Sequence, residues 1–272
     1  PKTPRRQRQM CIRDRNKIAI CLFGLSGGSA GKDGKGKNLD LKFSREGYIK
    51  AFENKYIVDY YIHTWSIDIE KEINHAFKPI KMISEPKIEF NKFFWIKKIL
   101  KRITFKQLIK FFFGKFNLYN EAHHAYRAYS RWISTQKSFK LIPSERLSDY
   151  SFILSSRLDV EFFSEFFLEE DLTNETLVVS NYNNAPIESI RDTADKKNLT
   201  EELNAFLDLW FAGKPKVMAK FTSLIDRFEN YDYNPHVSSY NHAKHLKLKP
   251  LFKFFRFFDY ELVRRYRFKS NL

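Results

Sequence analysis

The residues best suited to chemistry are an arginine and two carboxylates that come after an apolar run. Residues 150–154 predict a buried strand because they are mostly aromatic and aliphatic. Arg157, Asp159 and Glu161 follow, and alternation along an extended chain would place all three on one face. Two carboxylates one residue apart suit a hard divalent cation, Mg²⁺ or Mn²⁺, that also binds substrate phosphates. An edge strand whose charges face water is the alternative.

A second candidate is a loop rich in glycine and lysine. Residues 17–24 predict a short strand, and residues 24–38 form the loop after it. Glycine lets backbone N–H groups approach phosphate oxygens and lysine adds positive charge, which favours a nucleotide diphosphate as ligand. The loop residues assigned to this ligand are Gly24, Ser26, Gly27 and Lys32. A plain flexible linker is the alternative.

The same loop contains a near match to the P-loop pattern in residues 31–38. Asn38 stands where a serine or threonine would hold Mg²⁺, and Gly31 lies seven residues beyond the end of the strand. These two departures weaken the interpretation as a phosphate- or sulfate-transferring P-loop protein.

Other predicted elements carry polar side chains that could lie near the carboxylates of residues 159–161 and the loop at 24–38. A strand at 56–62 ends at His63, which either lines a cleft or is a structural histidine. The segment 207–213 is predicted to be extended, with Asp208 and Trp210 on one face. An aspartate beside an aromatic ring is a common sugar-binding pair, because the ring stacks on the sugar and the carboxylate accepts a hydroxyl proton. Alternatively, Asp208 caps a helix predicted at 214–228. Helices are also predicted at 39–55, 68–75 and 119–141, and strands at 80–84 and 177–180.

Taken together, these segments resemble a known family. Ser155-Ser-Arg-Leu-Asp-Val160 is similar to the (S/T)RxD variant of the Asp-x-Asp strand end in GT-A-type glycosyltransferases. More narrowly, it resembles bacterial and large-virus transferases of surface-polysaccharide (lipopolysaccharide or capsule) synthesis. Three further segments match in the same order, at residues 17–26, 58–65 and 208–213.

The resemblance implies an α/β fold of the GT-A (Rossmann-like) type, with one mostly parallel sheet flanked by helices. It also implies a nucleotide-sugar donor and a glycan or lipid-linked acceptor. Asp159 and Glu161 would hold Mg²⁺ or Mn²⁺, and Asp208 would be the base in an inverting reaction, which a retaining reaction does not need. The helix at 119–141 would border the nucleotide. The implied nucleotide-sugar-binding residues are Gly24, Ser26, Gly27, Lys32, His63, Arg131, Lys137, Arg157 and Trp210.

Two segments, residues 88–118 and 244–269, interleave aromatic side chains with lysine and arginine. Spacings such as those of Ile96, Ile99 and Ile103 predict a helix with an apolar stripe and a basic opposite face. A basic amphipathic helix rich in aromatic residues is typical of proteins that bind membrane surfaces. Both segments are therefore predicted to be helical and to favour an anionic membrane surface over nucleic acid. Ordinary core-packing helices, or a non-enzymatic membrane- or polyanion-binding protein, are the alternatives.

Composition sets the limits of these interpretations. The chain has 272 residues, a formal charge of +16 and two cysteines, too few for a disulfide framework, so a reducing compartment is expected. No apolar run approaches the ~18 residues of a membrane-spanning helix. The predicted location is cytoplasmic, with peripheral attachment to the inner membrane face. Residues 1–15 are basic, lack an apolar face and resemble translated sequencing adapter, so residues 16–272 are treated as the single domain.

Overall fold

The computed structural model describes residues 15–26, 39–114, 116–168, 172–180, 205–254, 256 and 258–263. The strands in chain order are β1 (Lys17–Gly24), β2 (Ile57–Thr64), β3 (Lys81–Ser84), β4 (Phe152–Arg157), β5 (Val160–Phe162), β6 (Thr176–Ser180), β7 (Leu207–Gly213), β8 (Lys249–Lys253) and β9 (Tyr260–Leu262). The helices are α1 (Leu41–Tyr48), α2 (Glu70–Phe77), α3 (Lys92–Leu100), α4 (Phe105–Phe112), α5 (Leu118–Lys140), α6 (Pro215–Phe221) and α7 (Pro235–His245). A π-helical turn, Ile49–Glu53, extends α1, and 3₁₀ turns lie at Ile67–Ile69, Ser144–Asp149 and Thr222–Asn230.

In this part of the chain seven strands form one sheet in the order β3-β2-β1-β4-β7-β6-β8. β1 pairs in parallel with β2 and β4, whereas β7 runs antiparallel to β4 and β6. From β1 and β4 at the centre, the strand order extends in opposite directions. In an open α/β sheet such a switch point leaves a crevice outside the carboxyl ends of the strands. The predicted class, a mostly parallel Rossmann-like sheet flanked by helices, is confirmed.

Alternation along β1 divides the core into two layers. Ile18, Ile20 and Leu22 face the layer that contains α1 and α2, whereas Ala19 and Cys21 face the layer that contains α5. The small side chains of β1 meet small side chains of the helix, so α5 lies close to the sheet. The helical residues concerned are Ala122, Ala125 and Ala128.

The first layer also fixes the turn between β4 and β5. Ser44 of α1 donates to the carbonyl oxygens of Leu158 (2.7 Å) and Val160 (3.0 Å). A Cβ added to Gly47 would lie 2.5 Å from the backbone nitrogen of Phe162, so α1 packs directly on the β5 backbone. Glycine is required here for close approach.

Helices α3 and α4, together with Phe113, form a helical hairpin of residues 92–113, which we call the hairpin. The hairpin packs on α5 mainly through α3. Trp95 and Ile99 are buried there, and the Trp95 ring contacts the rings of Tyr126 and Tyr129. Each helix begins at a capping side chain, Asn91 for α3 and Thr104 for α4. No helix in the described part of the chain has the length and apolar character needed to cross a bilayer.

Two predictions about the elements are wrong. The segment 244–269 was predicted to be helical, but among its described residues the helix ends at His245, and β8 pairs with β6 while β9 pairs with β5. Long-range pairing overrides the helical pattern there, because aromatic residues suit strands equally well. Residues 264–269 lie outside the described residues. Arg157, Asp159 and Glu161 do not share one strand face either, since β4 ends at Arg157 and the chain turns into a second sheet.

Candidate functional site

A cavity of about 1080 Å³ opens at the edge of the sheet where β1 and β4 end. This is the switch point at which open α/β sheets bind ligands. Asp208 reaches it from the start of β7, because β7 is antiparallel to β4. The wall nearest the sheet, called the inner wall below, is lined by Phe23, Gly24, Arg131, Arg157, Asp208 and His236. The hairpin and the first half of α5 form the opposite wall, with Arg102, Gln107, His123 and Arg127 among its residues.

Gly24 ends β1 and turns the chain at the inner wall. Its φ of +100° is a conformation that glycine adopts without strain. Its N–H donates to Oγ of Ser134 (2.9 Å), and its carbonyl oxygen accepts from Oγ1 of Thr64 (2.9 Å). Ser134 also forms a hydrogen bond with Nδ1 of His63 (2.8 Å). One serine of α5 thus ties together the ends of β1 and β2.

Arg157, the last residue of β4, lines the cavity while held by Asp159. Its Nε and Nη2 donate to the two carboxylate oxygens of Asp159, each at 2.8 Å. The backbone N–H of Leu158 donates to the carbonyl oxygen of Phe23 (3.3 Å), so Asp159 lies next to the end of β1. A bidentate pair fixes the plane of the guanidinium group. The side chain of Asp159 is fully buried and does not itself line the cavity.

Arg131, Asp208 and His236 form the second charged group of the inner wall. Arg131 donates to the carboxylate Oδ2 and to the backbone carbonyl oxygen of Asp208. Nδ1 of His236 lies 3.3 Å from Oδ1 of the same carboxylate. The carboxylate therefore lies between a guanidinium group and an imidazole ring. The side chains of Arg131 and Asp208 are only 13% and 9% exposed, so water screens this pairing weakly.

The surroundings set the protonation state of His236. Burial lowers its pKa from 6.5 to about 4; the charges of Arg131 and Arg157 act in the same direction, and a hydrogen bond to the Phe206 carbonyl opposes them. The ring is therefore neutral near pH 7. Nδ1 lies 2.9 Å from the Phe206 carbonyl oxygen and 3.3 Å from the backbone nitrogen of Asp208. We assign the proton to Nδ1 because the shorter contact is to a carbonyl oxygen, which only accepts, and Nε2 is then the proton acceptor.

The pKa of Arg131 is lowered as well. Burial is the main cause and the nearby Arg157 guanidinium is the second, while Asp159 opposes them. Two guanidinium groups in one buried wall repel each other, and this repulsion would be relieved by a bound anion.

Three predicted site residues lie near the inner wall or in the core without lining the cavity. His63 is fully buried, and burial lowers its pKa to about 4, which fits a structural histidine. Lys137 forms an ion pair with Glu85. Trp210 is buried in the opposite layer, against the rings of Phe162 and Phe166.

The prediction that Asp208 and Trp210 share one face is therefore wrong. Asp208 contacts Arg131 on the α5 side of the sheet, whereas Trp210 packs on the other side. The physical reason is a register shift between β6 and β7 at Val179 and Ser180, which interrupts the alternation of side chains in β7.

The remaining predicted residues belong to the loop and to β5. Ser26 is buried, and its N–H donates to Oγ of Ser66 (3.0 Å). Gly27 and Lys32 lie outside the described residues. Glu161 stands opposite Glu261 in the β5–β9 pair.

Asp159 and Glu161 are not arranged as ligands of the expected Mg²⁺ or Mn²⁺. Both carboxylate oxygens of Asp159 accept from Arg157, and Glu161 belongs to the second sheet. No cluster of three or more His, Cys, Asp or Glu side chains suited to a metal occurs among the described residues. A cation would bind Asp159 only if the carboxylate gave up part of its pairing with Arg157, so the metal stays a prediction.

His236 is the inner-wall residue to which sequence reasoning gave no role. The histidines of residues 234–242 have no acid at ligand spacing in the sequence, and Asp208 is 28 residues away. The local sequence around His236 indicates a helix start, because Asn234 is followed by Pro235, but it does not indicate a contact with Asp208.

Comparison with known proteins gives no match, either to a protein-family model or to a curated protein. The case for a function therefore rests on the geometry of the inner wall.

Proposed function

We propose that this chain transfers a sugar from a nucleotide-diphosphate donor to a hydroxyl group of a glycan or lipid-linked acceptor. The observation that carries the proposal is the composition of the inner wall. Two guanidinium groups, Arg131 and Arg157, and a histidine–carboxylate pair, His236 and Asp208, meet at the switch point of a Rossmann-like sheet. The first pair suits a diphosphate and the second suits removal of a proton from a hydroxyl group.

The guanidinium groups support a diphosphate ligand. Arginine recognises phosphate oxygens through paired N–H donors, and the bidentate contact with Asp159 holds Arg157 in one orientation. Burial and then the nearby Arg157 guanidinium lower the pKa of Arg131, and a diphosphate between the two arginines would offset the repulsion between them. Gly27 and Lys32 of the loop after β1 are proposed to add donors and charge to the same ligand.

The proposed reaction needs one proton acceptor. The bond between the sugar C1 and the phosphate oxygen breaks, and its electron pair goes to the leaving diphosphate. The acceptor oxygen forms the new bond to C1, and its proton moves to Nε2 of His236. The Asp208 carboxylate, 3.3 Å from Nδ1, helps to position the ring, so we now assign Asp208 to positioning the base rather than to acting as the base. A base of this kind suits an inverting transfer.

Donor binding would also change the pKa of the proposed base, His236. The positive charges of Arg131 and Arg157 help to lower the pKa of His236. A diphosphate that neutralises them would raise this pKa by removing their part of the shift, while the larger part, which is due to burial, would stay. His236 would then be a stronger base in the donor complex than in the free protein, which suits general-base catalysis near neutral pH.

The proposal is tested by measuring nucleotide-diphosphate release from a panel of nucleotide sugars, with Mn²⁺ and with a chelator. Release from one or a few donors is expected, and Arg157→Lys and Arg131→Lys should each raise the donor KM because lysine loses the paired contact. Arg45→Lys is the matched control, since Arg45 pairs with Glu53 and does not line the cavity. The absence of release or binding with every donor, or equal effects of all three variants, would contradict the proposal. The ratio of rates with and without Mn²⁺ tests the metal at Asp159.

A further inference from the structure

Helix α4 presents its apolar side to solvent. Phe105, Ile109 and Phe112 lie at i, i+4 and i+7 on one helix face, and Phe113 extends it. Phe105, Phe112 and Phe113 are 78%, 76% and 75% exposed. Of the α4 side chains that the structure describes, none is buried. The capping box of Thr104 and Gln107 stabilises the helix start without tertiary contacts.

The apolar surface continues onto α3. Phe93 is 83% exposed and Leu100 is also exposed, on the side of α3 opposite to the buried Trp95 and Ile99. The hairpin is therefore anchored to α5 by one side of α3, while large aromatic side chains cover its outer side. We call this surface, formed by Phe93, Leu100, Phe105, Ile109, Phe112 and Phe113, the outer face. Exposed apolar side chains gathered on one element of a protein often mark a site of interaction with a partner.

Charge restricts the choice of partner. Between Glu89 and Glu121 the sequence has eight lysine or arginine residues and no aspartate or glutamate. Lys97, Lys101 and Lys110 are exposed beside the apolar side chains. A second copy of the chain meeting this surface face to face would bring like charges together. A nucleic-acid duplex would contact the lysine and arginine side chains and leave the phenylalanine rings in water. An anionic phospholipid bilayer matches both the positive charge and the exposed apolar side chains.

We propose that the hairpin docks this protein on an anionic phospholipid bilayer, with the phenylalanine side chains of the outer face inserted among the lipids. Lysine side chains around them contact the lipid headgroups. Ile99, Arg102, Ile103 and Gln107 of the hairpin line the cavity on the side away from the outer face. Docking therefore brings the cavity to within about one helix diameter, roughly 10 Å, of the membrane surface.

The test is flotation of the full chain with vesicles of phosphatidylcholine alone and of phosphatidylcholine mixed with phosphatidylglycerol. No donor or acceptor is present, so the outcome is independent of the proposed function. Flotation with the anionic vesicles and release by salt are expected. The double variant Phe105→Ser with Phe112→Ser should bind at least roughly tenfold more weakly, because two inserted rings are lost. Lys97→Gln with Lys101→Gln should weaken binding and reduce its dependence on salt.

The matched control replaces two exposed apolar residues elsewhere, Ile67→Ser with Ile80→Ser, and should float like the unchanged protein. Thermal unfolding of each variant shows that it is folded. Absence of flotation, equal binding to neutral vesicles, or equal loss in the control would overturn the proposal. So would self-association, seen by light scattering, that disappears in the phenylalanine variant, or binding to a single-stranded oligonucleotide with no binding to vesicles.

Discussion

The inner wall of the cavity and the outer face of the hairpin differ in the type of side chain that they bury or expose. The inner wall buries charges, and each is matched: Arg157 with Asp159, and Arg131 with Asp208. The outer face exposes large apolar side chains, and α4 makes no buried contact among its described side chains. Burying a charge is unfavourable unless it is paired, and exposing apolar surface is unfavourable unless it meets a partner.

Because of this difference, mutations in the two regions are expected to have different effects on stability and on function. The inner wall is held by contacts within the protein, so changing one residue there should affect both catalysis and stability. The outer face contributes little to folding, so changes there should affect binding alone. Four measurements on single and double variants test this comparison.

The largest effect is expected at His236. His236→Gln keeps the size of the side chain and removes the proton acceptor, so kcat should fall by roughly 10²–10⁴-fold while the donor KM changes little. His245→Gln, an exposed histidine of the same helix, is the control. Steady-state kinetics with the donor found in the screen give both constants. Unchanged kcat would remove His236 from the mechanism.

Asp159→Asn should mainly change stability. The substitution breaks a buried bidentate ion pair with Arg157, and loss of one partner of such a pair costs about 3–5 kcal/mol. Urea unfolding measures this difference. Asp232→Asn changes an exposed aspartate that lines the same cavity, and it should alter the free energy of unfolding by no more than about 0.5 kcal/mol. A stable Asp159→Asn protein that has lost Mn²⁺-dependent activity would instead support the metal at this position.

Acidification should destabilise the fold in a defined range. Burial lowers the pKa of His63, His236 and His242 to about 4 in the folded state, whereas histidine in an unfolded chain has a pKa near 6.5. Below about pH 6.5 the unfolded chain binds protons that the folded chain does not, so stability is full above this pH and declines toward pH 4. The Tm should therefore fall between pH 7 and pH 5. His242→Gln should make this dependence shallower; an unchanged slope would contradict the assignment.

The smallest effect is expected on the outer face. Phe105→Ser with Phe112→Ser should change the free energy of unfolding by no more than about 0.5 kcal/mol, since both side chains are exposed. Trp95→Ala, in the same hairpin but buried against α5, should cost about 3–5 kcal/mol. A large loss of stability in the phenylalanine variant would mean that the outer face packs against the protein in solution.

Much of the fold could be predicted from the sequence, because its elements carry strong local patterns. The predicted first strand, residues 17–24, coincides with β1, and the long helix predicted at 119–141 coincides with α5 within one residue at each end. Alternation in β1 and helical spacing in α5 are properties of neighbouring residues. The hairpin was likewise predicted as helical and amphipathic from its spacing. The sequence could not show that the apolar side of α4 stays exposed, because that depends on what packs against it.

The site was predicted only in part. Gly24, Arg157 and Asp208 line the cavity because strand ends converge at a switch point, and Arg131 lines it because α5 packs beside the end of β1. The position of Trp210 was wrong because a bulge depends on pairing with another strand. The helical prediction for residues 244–269 was wrong at 249–253 and 260–262, because β8 and β9 form only through distant partners.

By itself, the sequence determined the class of fold, the basic charge of the hairpin, and the arginine that ends the central strand with an aspartate two residues beyond it. Those properties depend on residue type and on spacing within a few residues. Only the tertiary structure decided that Asp159 holds Arg157, that Arg131 holds Asp208, and that His236 lies beside the Asp208 carboxylate, 28 residues away in the chain. Such pairs form when distant segments pack together, and the free energy of burying a charge then selects the partner within reach.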